Sequence, residues 1–133
     1  VLKRDQPHIV VIQRSRGYDT RQSYTVDQIK KMTAFVKKVS PESLVFVDNC
    51  YGEFSEKHEP TEYGVDFTAG SLIKNAGGGI AQTGGYIVGK EELVENAAIR
   101  LTAPGIGKEE GATLTNMHEF YEGFFLAGSA HNR

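Results

Sequence analysis

The pattern that most constrains the fold is two apolar runs separated by a helix-like segment. Residues 7–13 (PHIVVIQ) form one run, rich in β-branched side chains, and residues 44–47 (LVFV) form the other. Continuous runs of this kind are typical of strands that are covered on both faces in a parallel sheet. We therefore expect both segments to be buried, neighbouring strands.

The segment between the runs predicts one amphipathic helix. Thr25 and Gln28 match a capping box, and the residue before Pro41 avoids helical geometry. Apolar side chains recur at helical spacing between these points, at Ile29, Met32, Val36 and Val39. Strand, helix and strand in this order form the unit that builds parallel sheets.

Further elements follow in the second half of the chain. An apolar run begins at Val65, residues 86–88 predict a short strand, and residues 91–101 predict an amphipathic helix. The aromatic segment around Phe120–Leu126 predicts another helix. The whole pattern predicts an α/β fold with a mainly parallel sheet and helices on both faces.

Composition limits the classes of function. With 39% apolar and 24% charged residues, the chain is typical of a soluble globular domain. A net charge of −2 favours neither nucleic acid nor an anionic membrane as partner. Cys50 is the one cysteine, which excludes an internal disulfide and fits a cytoplasmic location. The histidines are scattered, so we expect no metal site: His8, His58, His118 and His131.

Lys74 follows the third apolar run, at the strand end where ligands bind in open α/β sheets. A lone lysine here is most often a surface residue whose stem packs and whose ammonium stays in water. Ser71 precedes it, however, and residues 77–85 contain five glycines in nine positions. Asp48 comes directly after the second strand, although such aspartates commonly cap turns or helices.

Together these residues match the needs of a pyridoxal phosphate site. That cofactor needs a lysine for a Schiff base, here Lys74, and a carboxylate at its ring nitrogen, for which Asp48 is the candidate. Ser71 and glycine-loop N–H groups could bind the phosphate, and Tyr51 could hold the phenolic oxygen of the ring. Ser-x-x-Lys alone is a weak signal, because serine acyl-transfer enzymes also contain it.

The loop after the first strand carries three arginines. Arg14, Arg16 and Arg21 could bind a carboxylate or phosphate through paired hydrogen bonds. A solvated basic loop is an equally good interpretation of the same residues. Arg14 and Arg16 are the candidates for a substrate contact.

Four segments resemble the aluminium resistance protein family, which is related to methionine gamma-lyase and belongs to the aspartate aminotransferase superfamily. The segments are residues 46–54 (FVDNCYGEF), 59–62 (EPTE), 69–75 (AGSLIKN) and 100–107 (RLTAPGIG). The resemblance implies that Lys74 is the Schiff-base lysine, Asp48 the partner of the ring nitrogen and Ser71 a phosphate ligand. Tyr51 is a weaker assignment, because related lyases carry phenylalanine there. It also implies pyridoxal 5'-phosphate as cofactor and a small amino acid as substrate.

The same resemblance indicates that residues 1–133 are the central part of a larger, cofactor-binding domain of the fold type I pyridoxal-phosphate class. The ring-stacking aromatic and a phosphate-binding loop come earlier in such enzymes, and the arginine for the substrate carboxylate comes later. A second chain completes each site, which implies a homodimer or homotetramer. We expect this chain to be a fragment of a longer polypeptide, and the alternative that the isolated fragment has no activity stays open.

The leading hypothesis for function is a carbon–sulfur lyase that acts on methionine or cystathionine. An aminotransferase of the same fold is the nearest alternative. A non-catalytic module that binds a nucleotide or phosphate through residues 77–85 is the third. Against the third, the glycines follow the lysine and lack the strand–GxGxxG–helix context of dinucleotide sites.

Overall fold

The computed structural model describes residues 1–111 and 117–130 and places four strands in one sheet. The strands are β1 (Ile9–Gln13), β2 (Leu44–Asp48), β3 (Phe67–Ser71) and β4 (Gly85–Gly89). Their order in the sheet is β1-β2-β3-β4. The first three are parallel and β4 is antiparallel to β3. The predicted α/β fold with a mostly parallel sheet is confirmed.

Four helices accompany the sheet: α1 (Leu2–Asp5), α2 (Val26–Val39), α3 (Glu91–Leu101) and α4 (His118–Ala130). Short 3₁₀ turns lie at Pro60–Tyr63 and Asn75–Gly77. The predicted helices at 26–39 and 91–101 are confirmed, as is a helix around Phe120. His131 lies outside the described residues. The prediction that it binds no metal therefore stays a prediction.

The core forms between α2 and one face of the sheet. Ile12, Val45 and Val47 point to this face, and Ile29 and Val36 of α2 pack against them. Each such side chain is at most 7% exposed, and burying one stabilises the fold by about 1.5–3 kcal/mol. This packing fixes β1 and β2 side by side, so that their carboxyl ends open at the same edge.

The predicted capping box starts α2 as expected. The Gln28 N–H donates to Thr25 Oγ1 at 3.2 Å, and the Thr25 N–H donates to Gln28 Oε1 at 2.9 Å. Two N–H groups that the first turn would leave unpaired are thereby satisfied.

The other face of β1 differs from the prediction. Ile9 is 47% exposed and Val11 is 63% exposed, so the expectation that β1 is covered on both faces is wrong for this chain. The physical reason is that a β-branched run is buried on both sides only where a second layer exists. In the described residues, α2 supplies that layer on one face of β1.

A buried aspartate joins β2, α2 and the start of α3. Asp66 is 1% exposed, and its carboxylate lies 2.6 Å from Lys37 Nζ and 2.6 Å from Lys90 Nζ. It also accepts a hydrogen bond from the Val45 N–H at 2.6 Å. These contacts fix the entry to β3, and with it the position of the residues that follow this strand.

Candidate active site

An open cleft of about 740 Å³ lies at the carboxyl edge of the parallel strands. Its walls come from the loop after β1, from the residues that end and follow β2, and from Lys74, three residues after β3. The predicted residues that line it are Asp48, Tyr51, Lys74 and Arg16. The parallel order of β1, β2 and β3 brings these side chains to one edge, as the sequence predicts.

Lys74 lies between the sheet and a 3₁₀ turn. Its ammonium nitrogen is 4.4 Å from the centre of the Tyr51 ring, a cation–π contact. Desolvation by itself would lower the pKa of Lys74, but the Cys50 thiol and the nearby Tyr51 and Asp48 outweigh it, and the pKa is raised above 10.5. In this arrangement the amine is held in its charged form.

Asp48 ends β2 and is flanked by the strand ends of β1 and β3, in register with Gln13 and Ala69. Its Oδ1 accepts a hydrogen bond from the Cys50 N–H at 3.1 Å. The Asp48 carboxylate also interacts with the Cys50 thiol, whose pKa it raises. Asp48 thus lies at the wall of the cleft with Cys50 as its neighbour.

Tyr51 has an unusual backbone conformation for a residue with a side chain. Its φ is +68°, in the left-handed region, and its side chain is 62% exposed over the cleft. Asn75 Nδ2 donates to the carbonyl oxygens of Tyr51 and Glu53, each at 3.2 Å. The residue next to Lys74 thus holds the loop that presents Tyr51.

Ser71 ends β3 at the same edge but is not part of the cleft wall. Its Oγ accepts from the Ile73 N–H at 3.3 Å, and its own N–H donates to Glu53 Oε1 at 3.3 Å. The hydroxyl proton is not engaged in the described contacts, so Ser71 retains a donor. Its predicted role as a phosphate ligand stays a prediction.

Arg14 does not fit its predicted role in substrate binding. Its side chain is 3% exposed and does not line the Lys74 cleft, and Glu56 Oε1 at 2.7 Å and Glu59 Oε2 at 3.4 Å neutralise it. Asn49 Oδ1 accepts another hydrogen bond from its guanidinium at 2.8 Å. Because these partners already occupy the guanidinium, Arg14 serves to tie β1 to the loop after β2.

Arg16 and Arg21, in contrast, both line the cleft with Lys74, and the predicted contact of Arg16 with a substrate stays a prediction. Arg21, the third arginine, donates to the carbonyl oxygens of Gln13 and Ser15 at 2.8 and 2.6 Å. Its guanidinium also lies 4.4 Å from the centre of the Tyr24 ring. The three arginines of this loop therefore have three different environments.

Two residues of the site region were missed by the sequence interpretation. Glu53 begins a charged segment, yet it is 3% exposed and accepts a hydrogen bond from the Tyr86 hydroxyl at 3.0 Å. Burial and the nearby carboxylates raise the pKa of Tyr86, so that its hydroxyl stays a proton donor. No periodicity marks Glu53, because its partners come from β3 and β4.

Cys50 is the second missed residue. It lines the cleft beside Lys74. Desolvation, together with Asp48, raises the pKa of the Cys50 thiol despite the opposing effect of Lys74. No local pattern in the sequence signals the contact with Lys74, because the two residues follow different strands.

The glycines after Lys74 serve contacts within the chain. A Cβ on Gly77 would collide with the Leu72 carbonyl oxygen, and a Cβ on Gly78 would collide with the carbonyl oxygen of Gly123 in α4. Gly78 also has a φ of +56°. At Gly78 the missing side chain permits the close approach of α4. Because α4 fills this space, the structure argues against a nucleotide-binding loop here.

Residues 1–111 and 117–130 contain neither a cluster of metal ligands nor a membrane-spanning helix. Nowhere in these ranges do three or more His, Cys, Asp or Glu side chains gather as a metal ion would require. Of the helices described, none has the length and apolar character needed to cross a bilayer.

The fold and the cleft define an α/β domain with a lysine and a carboxylate at the carboxyl edge of its sheet. The family model for methionine gamma-lyase matches residues 2–132. The chain therefore belongs to the methionine gamma-lyase family.

Relatives of known sequence or structure agree with this membership. The Bacillus subtilis (strain 168) protein YnbB is 55% identical over 119 residues, which are 90% of this chain and 28% of that protein. A Listeria monocytogenes crystal structure, described as a "putative cystathionine beta-lyase involved in aluminum resistance", is 60% identical with a TM-score of 0.85. The match covers 92% of this chain and 31% of that one.

A third relative is the crystal structure of a carbon-sulfur lyase involved in aluminum resistance from Clostridium novyi NT. It is 46% identical with a TM-score of 0.85, over 96% of this chain and 30% of that one. The chain thus spans less than a third of the length of these relatives.

Proposed function

We propose that this chain is the lysine-bearing part of a pyridoxal-phosphate-dependent carbon–sulfur lyase. The observation that carries the proposal is the convergence of Lys74, Asp48 and Tyr51 on one cleft at the carboxyl edge of the sheet. The family membership and the names of the relatives support a lyase that acts on carbon–sulfur bonds.

The residues present fit the proposed cofactor. Asp48 places a carboxylate at the cleft wall, Lys74 offers an amine, and Ser71 retains a hydroxyl donor at the same edge. When bound, pyridoxal phosphate supplies an aldehyde for amines and a protonated ring that accepts the electrons of a broken bond.

Asp48 would hold the proton on the ring nitrogen, because a carboxylate next to a cation favours the charged form. The Ser71 hydroxyl would donate a hydrogen bond to a phosphate oxygen. The Tyr51 ring, which already contacts the Lys74 ammonium, would limit where that side chain can move. These three residues orient and polarise, and they do not themselves gain or lose the substrate proton.

Lys74 would carry that proton. Its neutral amine takes the proton from the α-carbon of the substrate, acting as a general base. The raised pKa of the amine in this chain means that it must first be deprotonated, and a ligand that displaces it from Cys50 and Tyr51 would favour this.

The substrate would be a sulfur amino acid. In the reaction the α-proton is removed, the carbon–sulfur bond breaks, and the sulfur leaves with a proton as a thiol. Water then converts the unsaturated remainder to a keto acid and ammonia. As the resemblance to the aspartate aminotransferase superfamily implies, a second copy of the polypeptide would complete the site.

The test is cofactor-dependent release of thiol by the complete polypeptide. Cystathionine, methionine and S-alkyl cysteines are offered before and after removal and return of pyridoxal phosphate. We expect thiol and keto acid in equal amounts only with cofactor, and none with Lys74→Ala. Lys38→Ala, which changes an exposed lysine of α2, is the control. Transfer of the amino group to a keto acid without thiol release would contradict the proposal in favour of an aminotransferase.

A further inference from the structure

Arg16 is a cation in the cleft whose charge is not neutralised. Its side chain makes no ion pair or hydrogen bond with the residues that the structure describes. The backbone alone is held: the Arg16 N–H donates to Ser23 Oγ at 3.2 Å, and its carbonyl oxygen accepts from the Asp19 N–H at 3.0 Å. A free guanidinium at the wall of a ligand cleft favours an anionic ligand.

The loop that presents Arg16 is fixed by its neighbours. The Arg21 guanidinium donates hydrogen bonds to the carbonyl oxygens of Gln13 and Ser15, which holds the loop against the end of β1. The Tyr24 N–H donates to the Arg14 carbonyl oxygen at 2.9 Å at the other end. These hydrogen bonds hold the backbone of Arg16 in place. Less conformational entropy is therefore lost when the Arg16 side chain binds a ligand.

Arg16 and Lys74 line the same cleft from the ends of different strands. The Arg16 loop leaves β1, which lies two strands from β3, and neighbouring strands are about 4.8 Å apart. Lys74 would transfer the proton and Ser71 would bind the phosphate, and both residues lie at the carboxyl end of β3. A ligand group bound by Arg16 on the β1 side of the cleft would therefore differ from the group that Lys74 contacts on the β3 side.

We propose that Arg16 selects substrates whose departing sulfur half carries a carboxylate. This inference depends on the proposed lyase function and narrows its substrate class. The guanidinium forms paired hydrogen bonds with the distal carboxylate, and Ser15 and Tyr18, which also line the cleft, lie in the same loop. Thioether amino acids with a neutral end, such as methionine, lack this contact.

The experiment uses two substrates of similar size in the complete, cofactor-loaded polypeptide. S-(2-carboxyethyl)-L-cysteine carries the distal carboxylate, and S-propyl-L-cysteine has a neutral end. Arg16→Gln is compared with Arg16→Lys and with Arg4→Gln, which removes an exposed arginine in α1. Thiol release gives kcat and KM for each pair.

We expect Arg16→Gln to lower kcat/KM for the carboxyethyl substrate by about 10–100-fold, mainly through KM, as lost hydrogen bonds to a charged group imply. The propyl substrate and the Arg4→Gln variant should change by less than about twofold, within the range of a surface substitution. Arg16→Lys should recover part of the loss, because it keeps the charge without the paired donors.

Three results would overturn the inference. An equal loss with both substrates would place the guanidinium on the α-carboxylate, which both share. A weaker binding of pyridoxal phosphate to Arg16→Gln, measured by absorbance titration, would place it on the cofactor phosphate. If the wild type releases thiol from neither substrate, the proposed lyase function is wrong, and the role of Arg16 is tested by binding alone. Calorimetry then measures the affinity for the carboxyethyl compound, and equal affinities of the wild type and Arg16→Gln would overturn the inference.

Discussion

The ammonium of Lys74 lies 4.4 Å from the centre of the Tyr51 ring, although the two residues follow different strands. Asn75 holds this pair together, because its amide donates to the carbonyl oxygens of Tyr51 and Glu53. The loop after β2 and the turn after β3 are thus connected immediately beside the proposed catalytic amine.

Asn75→Ala should loosen that connection. With the loop released, Cys50, Tyr51 and Asp48 raise the pKa of Lys74 less, and this pKa falls toward 10.5. Carbon-13 labelling of lysine side chains and NMR titration measure it, with Lys74→Arg identifying the signal. Asn96→Ala, an exposed position in α3, is the control, and an unchanged Lys74 pKa in Asn75→Ala would contradict the account.

The same substitution to glutamine should lower the free energy of unfolding at Arg14 and leave it almost unchanged at Arg16. Arg14→Gln removes the hydrogen bonds of the buried guanidinium to Glu56 and Glu59, whose side chains are 38% and 34% exposed. Because water partly solvates both carboxylates, we expect a loss of about 1–3 kcal/mol in the free energy of unfolding. Arg16→Gln should change it by less than about 0.5 kcal/mol. Urea denaturation of the complete polypeptide compares the two, and equal midpoints would refute the structural role of Arg14.

Asp66 should make stability depend on acid. Desolvation opposes its charge, but Lys37, Lys90 and the Val45 N–H keep the pKa of this carboxyl below 3.8. A group with a lowered folded pKa stabilises the fold above its unfolded pKa, and this contribution is lost as the pH falls through the folded value. The loss should therefore begin near pH 4 and continue below it.

Asp66→Asn should remove this pH dependence and lower the free energy of unfolding at neutral pH by about 1–3 kcal/mol, the range for a lost charged hydrogen bond. Urea midpoints at several pH values between neutral and acid measure both effects. Asp27→Asn is the control, because Asp27 forms an exposed pair with Lys31. A variant that keeps the acid dependence of the wild type would contradict the role of Asp66.

Cys50 should be a slow nucleophile despite lining the cleft. Only the thiolate reacts with iodoacetamide, and desolvation and Asp48 raise the pKa of this thiol. Alkylation at neutral pH should be slower than for free cysteine and should rise with pH into the alkaline range. Because Lys74 lowers this pKa, Lys74→Met should react more slowly still. Peptide mapping gives the rates, and a faster reaction in Lys74→Met would contradict this arrangement.

Local patterns predicted much of this fold. The capping box at Thr25, the apolar spacing of α2 and the β-branched runs of β1 and β2 each act over a few residues, so the sequence displays them directly. Lys74 and Asp48 could be brought together because parallel strands share a carboxyl edge.

Other features depend on partners far along the chain. Arg14 was placed with the substrate because its loop is basic, but Glu56 and Glu59 neutralise it from the loop after β2. Glu53 lies in a charged segment typical of solvent exposure, yet β3 and β4 bury it. The exposed Val11 shows the converse, because an apolar run does not reveal whether a second layer covers it.

The most direct test of the central claim is to trap the cofactor on the chain. The complete polypeptide is incubated with pyridoxal phosphate, reduced with borohydride and digested, and the modified peptide is identified by mass spectrometry. We predict a pyridoxyl group on Lys74 in the wild type and in Lys38→Ala, and its absence in Lys74→Ala. A folded wild type that leaves Lys74 unmodified in excess cofactor, or carries the group on another lysine, would contradict the proposed site.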